Sequence, residues 1–191
     1  MGTNRLEAFS DGVIAVIITI MVLEMKVPHG EGMETLVPVI PIFLSYILSF
    51  VYLGIYWNNH HHMLHACQKV TGSMLWANLH LLFWLSLIPF ATGWMGENNF
   101  APIPVAAYGV VLVAAAVAYY ILVRALIARE GRDSVLAIAV GRDTKGTISP
   151  LIYAIAIPIA LVAPWVSFAL YVFVAVIWFV PDLRIERQLG A

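Results

Sequence analysis

The chain has 191 residues, 62% of them hydrophobic and 11% charged, and its mean hydropathy is +0.90. A soluble domain carries roughly a quarter of its residues as charges, so this composition excludes a water-soluble globular protein and points to an all-α integral membrane protein. A net charge of −1 offers no basic surface for nucleic acid, and a single cysteine, Cys67, excludes an intrachain disulfide.

The first apolar run, residues 6–27, meets the length of about 20 residues that a helix needs to cross a ~30 Å hydrocarbon layer. It nevertheless carries Asp11. A carboxylate at membrane depth costs at least a few kcal/mol, so Asp11 is expected to face protein or water and to have a partner. At ~1.5 Å per residue it lies roughly 9 Å beyond Arg5, deeper than a headgroup residue. The N-terminus lacks the short basic region and small-residue cleavage site of a signal peptide, so this helix is expected to be retained as a span.

Stepping 100° per residue puts Phe9, Gly12, Val16, Thr19 with Ile20, Leu23 and Val27 on one stripe, with Ser10 and Asp11 pointing away. Two readings of the stripe stand. In one it packs on other helices or on lipid. In the other several copies meet along it and line a narrow, largely dry pore that filters ions at an apolar constriction. Glu24 and Lys26, beyond the stripe, read most simply as a solvated vestibule.

Pro28, Gly30 and Gly32 stop the first helix. A second span follows over residues 36–66, with Pro38 and Pro41 suited to its first turn. The third, over 73–95, is expected to kink at Pro89, because a proline inside a helix removes a backbone hydrogen bond. The fourth, over 104–128, is rich in Ala, Val and Gly, which favour close helix contacts. Residues 129–146 form the long polar connection, and its apolar island at 135–140 is too short to span. The uncharged run from 148 to 180 is too long for one straight span, and a turn at Pro164 and Trp165 divides it into spans over 147–163 and 164–183.

Charge placement selects six spans in one domain over residues 1–191, with both termini cytoplasmic. Arg5, Lys69, Arg124, Arg129, Arg132, Arg142, Lys145, Arg184 and Arg187 then fall inside and only Lys26 outside. Trp94, Trp165 and Trp178 suit anchoring at the interfaces.

In this topology the start of the first helix, the end of the second and the start of the third share one side. Ser10, Asp11, Asn58 to His65, Asn78 and His80 can therefore form one polar cluster that fixes the first helix in its bundle. Arg5 and Asp11 lie on different faces of one helix, so a contact between subunits is as open as one within the chain. His61 and His65 are spaced i, i+4 and His62 and His65 i, i+3, both compatible with metal ligation. Membrane di-iron enzymes need several such boxes, and only His29 and His80 lie outside the run, so no metal site and no enzyme is expected. A helix-end cluster of hydrogen-bonding, pH-sensitive imidazoles, able to tune a channel between pH 5 and 7, is the preferred reading.

The sequence has no phosphate-binding Gly-rich loop, no Gly-x-Ser-x-Gly elbow and no Thr-Val-Gly-Tyr-Gly filter. Arg5-x-x-x-Phe9-Ser10-Asp11-Gly12 at the head of the first span instead resembles the signature of the transmembrane protein 175 family of potassium channels. The run from Trp57 through Asn58, Asn59 and His60 to His61, the pair Asn78 and Leu79, and the six-span length are also similar, so the likeness covers most of the chain.

The resemblance implies a potassium-selective channel of non-classical type, single-repeat and bacterial in form, assembled as a homotetramer in the cell membrane. Its first helices would line the pore, with the constriction on Val16, Thr19 as a hydroxyl layer, Ile20 beside it and Leu23 one layer further out. The family often has Ile or Leu where this chain has Val16, which implies a wider ring here. Arg5, Ser10, Asp11, Asn59, His60, His61, Asn78 and His80 would form the polar network that positions that helix. No cofactor is expected, and the permeant ion would be potassium. The competing reading is a proton-coupled secondary transporter in which Asp11 and the histidines carry protons.

Overall fold

The computed structural model describes residues 3–65, 67, 69–131, 134, 137 and 144–179, and its regular structure is helical throughout. The island at 135–140 lies outside the described residues except for Ala137, as do Arg132, Arg142, Arg184 and Arg187. Helix α1 runs over Thr3–Leu23. A 3-10 segment, Met33–Val39, holds Pro38 and leads directly into α2, Ile40–His65, with Pro41 in its first turn. Proline lacks the N–H that a first turn leaves unpaired in any case.

The third apolar stretch is two helices, α3 over Gly72–Ser86 and α4 over Ile88–Glu97. The break falls at Leu87, two residues before Pro89, whose missing N–H denies the Leu85 carbonyl its helical partner. Helix α5 spans Pro102–Glu130 and ends at Gly131, whose φ of 100° lies in the region that favours glycine. Helices α6, Thr144–Ala160, and α7, Pro164–Phe179, form a hairpin. Its turn is tied by the Ala163 N–H donating to the Ile159 carbonyl at 2.8 Å, and Pro164 opens α7.

Among the described residues four helical stretches are long and apolar enough to cross a membrane: Thr3–Leu23, Met33–His65, Gly72–Glu97 and Pro102–Glu130. The last two helices are apolar but shorter, about 25 Å at 1.5 Å per residue. Helix α5 is the central post, packing on α6 and α3, while α2 packs on α4 and α1 lies against α2, α3 and α4.

The interior is apolar with a few hydroxyls, and each of these finds a partner, because no water is available to replace one at membrane depth. Tyr52 Oη donates to the Tyr171 carbonyl at 2.6 Å, joining α2 to α7. Ser49 contacts the Thr92 hydroxyl at 2.6 Å and the Tyr108 hydroxyl at 2.9 Å, joining α2, α4 and α5. Trp178 Nε1 donates to Ser149 Oγ at 2.8 Å, so this indole ties α7 to α6 in addition to any interfacial role.

Candidate functional site

Helix α1 has two faces in antiphase. Leu6, Ser10, Ile14, Ile17 and Met21 are buried against the rest of the subunit. Phe9, Val16, Ile20 and Leu23 are exposed on the other side, Val16 at 54% and Leu23 at 79%. The buried face has a polar foot, and three helices converge on it.

Asn78, fully buried on α3, sits between α1 and α2. Its Nδ2 donates to Ser10 Oγ at 2.9 Å, and its Oδ1 lies 2.7 Å from His60 Nε2. Ser10 Oγ in turn donates to the Leu6 carbonyl at 2.9 Å. These bonds have one consistent direction: an amide oxygen can only accept, so His60 carries its proton on Nε2 and donates to Asn78. His60 Nδ1 is buried without a hydrogen-bond partner among the described residues.

A second set of contacts faces away from Asn78. Trp57 Nε1 donates to Asp11 Oδ1 at 3.0 Å. One turn along both helices, His61 Nδ1 meets Glu7 Oε1 at 2.6 Å, and His65 Nε2 lies 3.7 Å from the same oxygen. The acid that looked misplaced in a membrane span thus has an indole donor on the neighbouring helix.

Of the residues singled out in the sequence, Ser10, Asp11, His60, His61 and Asn78 come together at this foot, in two adjoining sets. Three do not join them. His80 is exposed, and its Nε2 accepts from Trp84 Nε1 at 3.0 Å on its own helix. Asn78 and His80 are two residues apart, so about 200° of helix rotation separates their side chains and only one can face the cluster. Asn59 is half-buried and its side chain has no hydrogen-bond partner among the described residues. Arg5 is exposed and makes no ion pair among them. Glu7 and Trp57 do take part, although no site role was expected of them. Their signal is spacing: Glu7 and Asp11 are i, i+4 on α1, and Trp57, His61 and His65 repeat at i, i+4, i+8 on α2.

Above the foot the exposed face borders a groove of 1010 Å³ between α1 and α4, lined by Gly12, Val16 and Ile20 on one side and Pro89, Phe90 and Trp94 on the other. Glu24 and Glu97 also line it, and Glu97 pairs with Lys26 at 3.3 Å. Thr19 and Leu23 lie outside the groove on the same exposed side of α1. Thr19 Oγ1 bonds to the carbonyls of Val16 and Ala15 at 2.9 and 3.1 Å. Its proton is spent on the helix, which leaves its oxygen lone pairs facing outward. In the α2–α3 connection, burial pushes the Cys67 thiol up to about 11, helped by Glu130, whose carboxylate accepts from Sγ at 3.2 Å.

The family model for the endosomal/lysosomal potassium channel TMEM175 matches residues 5–89, the stretch that builds this foot. A protein named as a potassium channel in Chryseobacterium sp. (strain P1-3) is 53% identical over 189 residues, covering 99% of this chain and 98% of that one. The chain belongs to the TMEM175 family. Solved TMEM175 structures include a lysosomal potassium-selective channel homolog from Chamaesiphon minutus, which superposes with a TM-score of 0.79 at 26% identity, covering 92% of this chain and 95% of that one. A Gallus gallus TMEM175 named as an endosomal/lysosomal proton channel is 33% identical over 103 residues, 48% of this chain and 21% of that protein. TMEM175 proteins are ion channels rather than enzymes, and this one is a multi-pass membrane protein of a potassium-channel family.

Proposed function

We propose that four copies of the chain surround one axis in the cell membrane, both termini cytoplasmic, and conduct potassium in preference to sodium along the exposed stripe of α1. Four is the count implied by the likeness to single-repeat members of the family, and the whole chain acts as one channel domain. The observation that carries this reading is the two-faced α1: its inner face is packed and hydrogen-bonded, while Val16, Thr19, Ile20 and Leu23 stand open along its length. Asp11 is turned aside to Trp57 rather than toward that stripe.

In this reading Val16 forms the apolar ring and Leu23 a second one, with the Thr19 oxygen between them and Ile20 alongside. Selectivity then comes from differential dehydration. Potassium, larger and less tightly hydrated than sodium, sheds water more readily at a dry constriction, and the outward lone pairs of Thr19 replace part of what it loses. Ser10, Asp11, His60, His61 and Asn78 hold α1 at the angle that presents the stripe. Arg5, Asn59 and His80 have no partner at the foot among the described residues, and in this reading they take part in positioning α1 through contacts between copies. The reading needs no cofactor.

Purified protein in a planar bilayer, with potassium on one side and sodium on the other, tests this directly. A reversal potential on the potassium side supports it. Equal permeability overturns the selectivity, and saturating uphill flux driven by a proton gradient replaces the channel with a proton-coupled transporter using Asp11 and the histidines.

A further inference from the structure

We infer that Glu7, His61 and His65 form a binding site for a divalent transition-metal ion of the zinc class, which fastens the foot of α1 to the end of α2. The three side chains come from two helices that no covalent link or short loop joins at this end. His61 and His65 are one turn apart on α2, with ring centroids 4.4 Å apart, and Glu7 reaches both from α1. One ligand atom from each of the three lies within 4.8 Å of the others. A tetrahedral ion with ligands at about 2.0–2.1 Å holds those ligands roughly 3.4 Å apart. The observed separations of 2.6 and 3.7 Å from Glu7 Oε1 bracket that value. A small rotation of the glutamate side chain, the most flexible of the three, opens the short one.

The donor chemistry selects the ion. Two imidazoles and one carboxylate suit zinc, cobalt, nickel or copper, whereas calcium and magnesium require oxygen ligands throughout. The surroundings suit it as well. The indole of Trp57 stacks on the His61 ring with an interplanar angle of 25°, which limits how that imidazole can turn. Glu7 is 18% exposed and His65 59%, so the pair is covered on one side and open on the other, where an ion enters and a water completes the fourth position. Three protein ligands and one open position are also found in catalytic zinc sites, but the family of this chain consists of channels rather than enzymes. The role that remains is a clamp. It closes one turn below the bond from Trp57 to Asp11, and the site stands whether or not α1 lines the pore.

The test is zinc titration of the untagged full-length protein in detergent by calorimetry, repeated with cobalt, whose visible absorption reports tetrahedral ligation. One ion per chain is expected. His65→Ala, at a largely exposed position where folding is safe, is expected to weaken binding at least tenfold, since even indirect partners of a metal are worth about 10–100-fold. Glu7→Gln is expected to do the same. His62→Ala removes a ring that touches His61 but lies outside the set, and is expected to leave affinity unchanged. Equal affinity of the wild type and His65→Ala, a loss in His62→Ala, or no saturable uptake would each overturn the site.

Discussion

Trp57 Nε1 donates to Asp11 Oδ1 at 3.0 Å, and one turn away on both helices His61 meets Glu7. The antiparallel pairing sets the register of α1 on α2 in the way paired side chains set the register of two strands. Trp57→Phe keeps an aromatic ring, though a smaller one, and removes the indole donor. It should cost about 1 kcal/mol, the net value of one hydrogen bond between helices. Asp11→Ala, which removes the acceptor, should cost a similar amount, and the double variant less than the sum, because both changes break the same bond. Unfolding of the purified variants in mixed micelles measures all three. Strict additivity would show that the pair is not energetically joined.

Asn78 is the shared partner of Ser10 and His60, so Asn78→Leu removes two hydrogen bonds without changing volume much. His60 would then be buried with neither nitrogen paired, since Nδ1 already lacks a partner among the described residues. Stranding a buried polar group costs about 1–3 kcal/mol, whereas replacing both members of a pair by apolar groups is nearly neutral. Asn78→Leu should therefore lower the melting temperature, and adding His60→Leu should restore part of the loss. A further drop in the double variant would mean that His60 draws its stability from elsewhere.

The meeting of three helix ends at Ser10, Asp11, His60, His61 and Asn78 was legible in the sequence for a simple reason. Short loops force neighbouring spans to alternate in direction, so the start of the first span, the end of the second and the start of the third share one side. A carboxylate inside an apolar run also announces a partner. What could not be read was rotation about the helix axes. Consecutive residues sit 100° apart, and that angle sends His60 inward to Asn78 and His61 sideways to Glu7. The same arithmetic separates His80 from Asn78, and the i, i+4 spacing of Glu7 and Asp11 was visible beforehand. The break at Leu87 follows from Pro89, but its position relative to α2 depends on packing that no local pattern records.

That packing makes a prediction at α4. A Cβ placed on Gly96 would come within 2.7 Å of the Ile42 Cα, backbone against backbone, so neither side can yield by turning a side chain. Gly96→Ala should push α4 off α2 and cost about 1–3 kcal/mol, the range for overpacking a tight contact. Gly93, one turn earlier on α4, has nothing within 4 Å of such a Cβ. Gly93→Ala should be neutral or gain up to about 1 kcal/mol from its better helix propensity. Thermal unfolding of the two variants side by side separates a steric effect from a general intolerance of substitution in α4.

The exposed stripe carries the most consequential prediction, because it links stability-neutral changes to conduction. Val16 is 54% exposed in one subunit, so Val16→Asn should fold normally. If Val16 rings a dry constriction, an amide there lowers the dehydration barrier. A change of about 1 kcal/mol is roughly fivefold in rate, so single-channel conductance should rise by about that factor. Val16→Phe should lower it. At Thr19 the hydroxyl proton is committed to the helix carbonyls and only the lone pairs are offered outward. Thr19→Val keeps the shape and removes those lone pairs, so the potassium-to-sodium permeability ratio should fall while Thr19→Ser preserves it. Bi-ionic recordings of the four variants decide the matter: unaltered conductance in both Val16 variants would mean that ions do not pass along this face of α1.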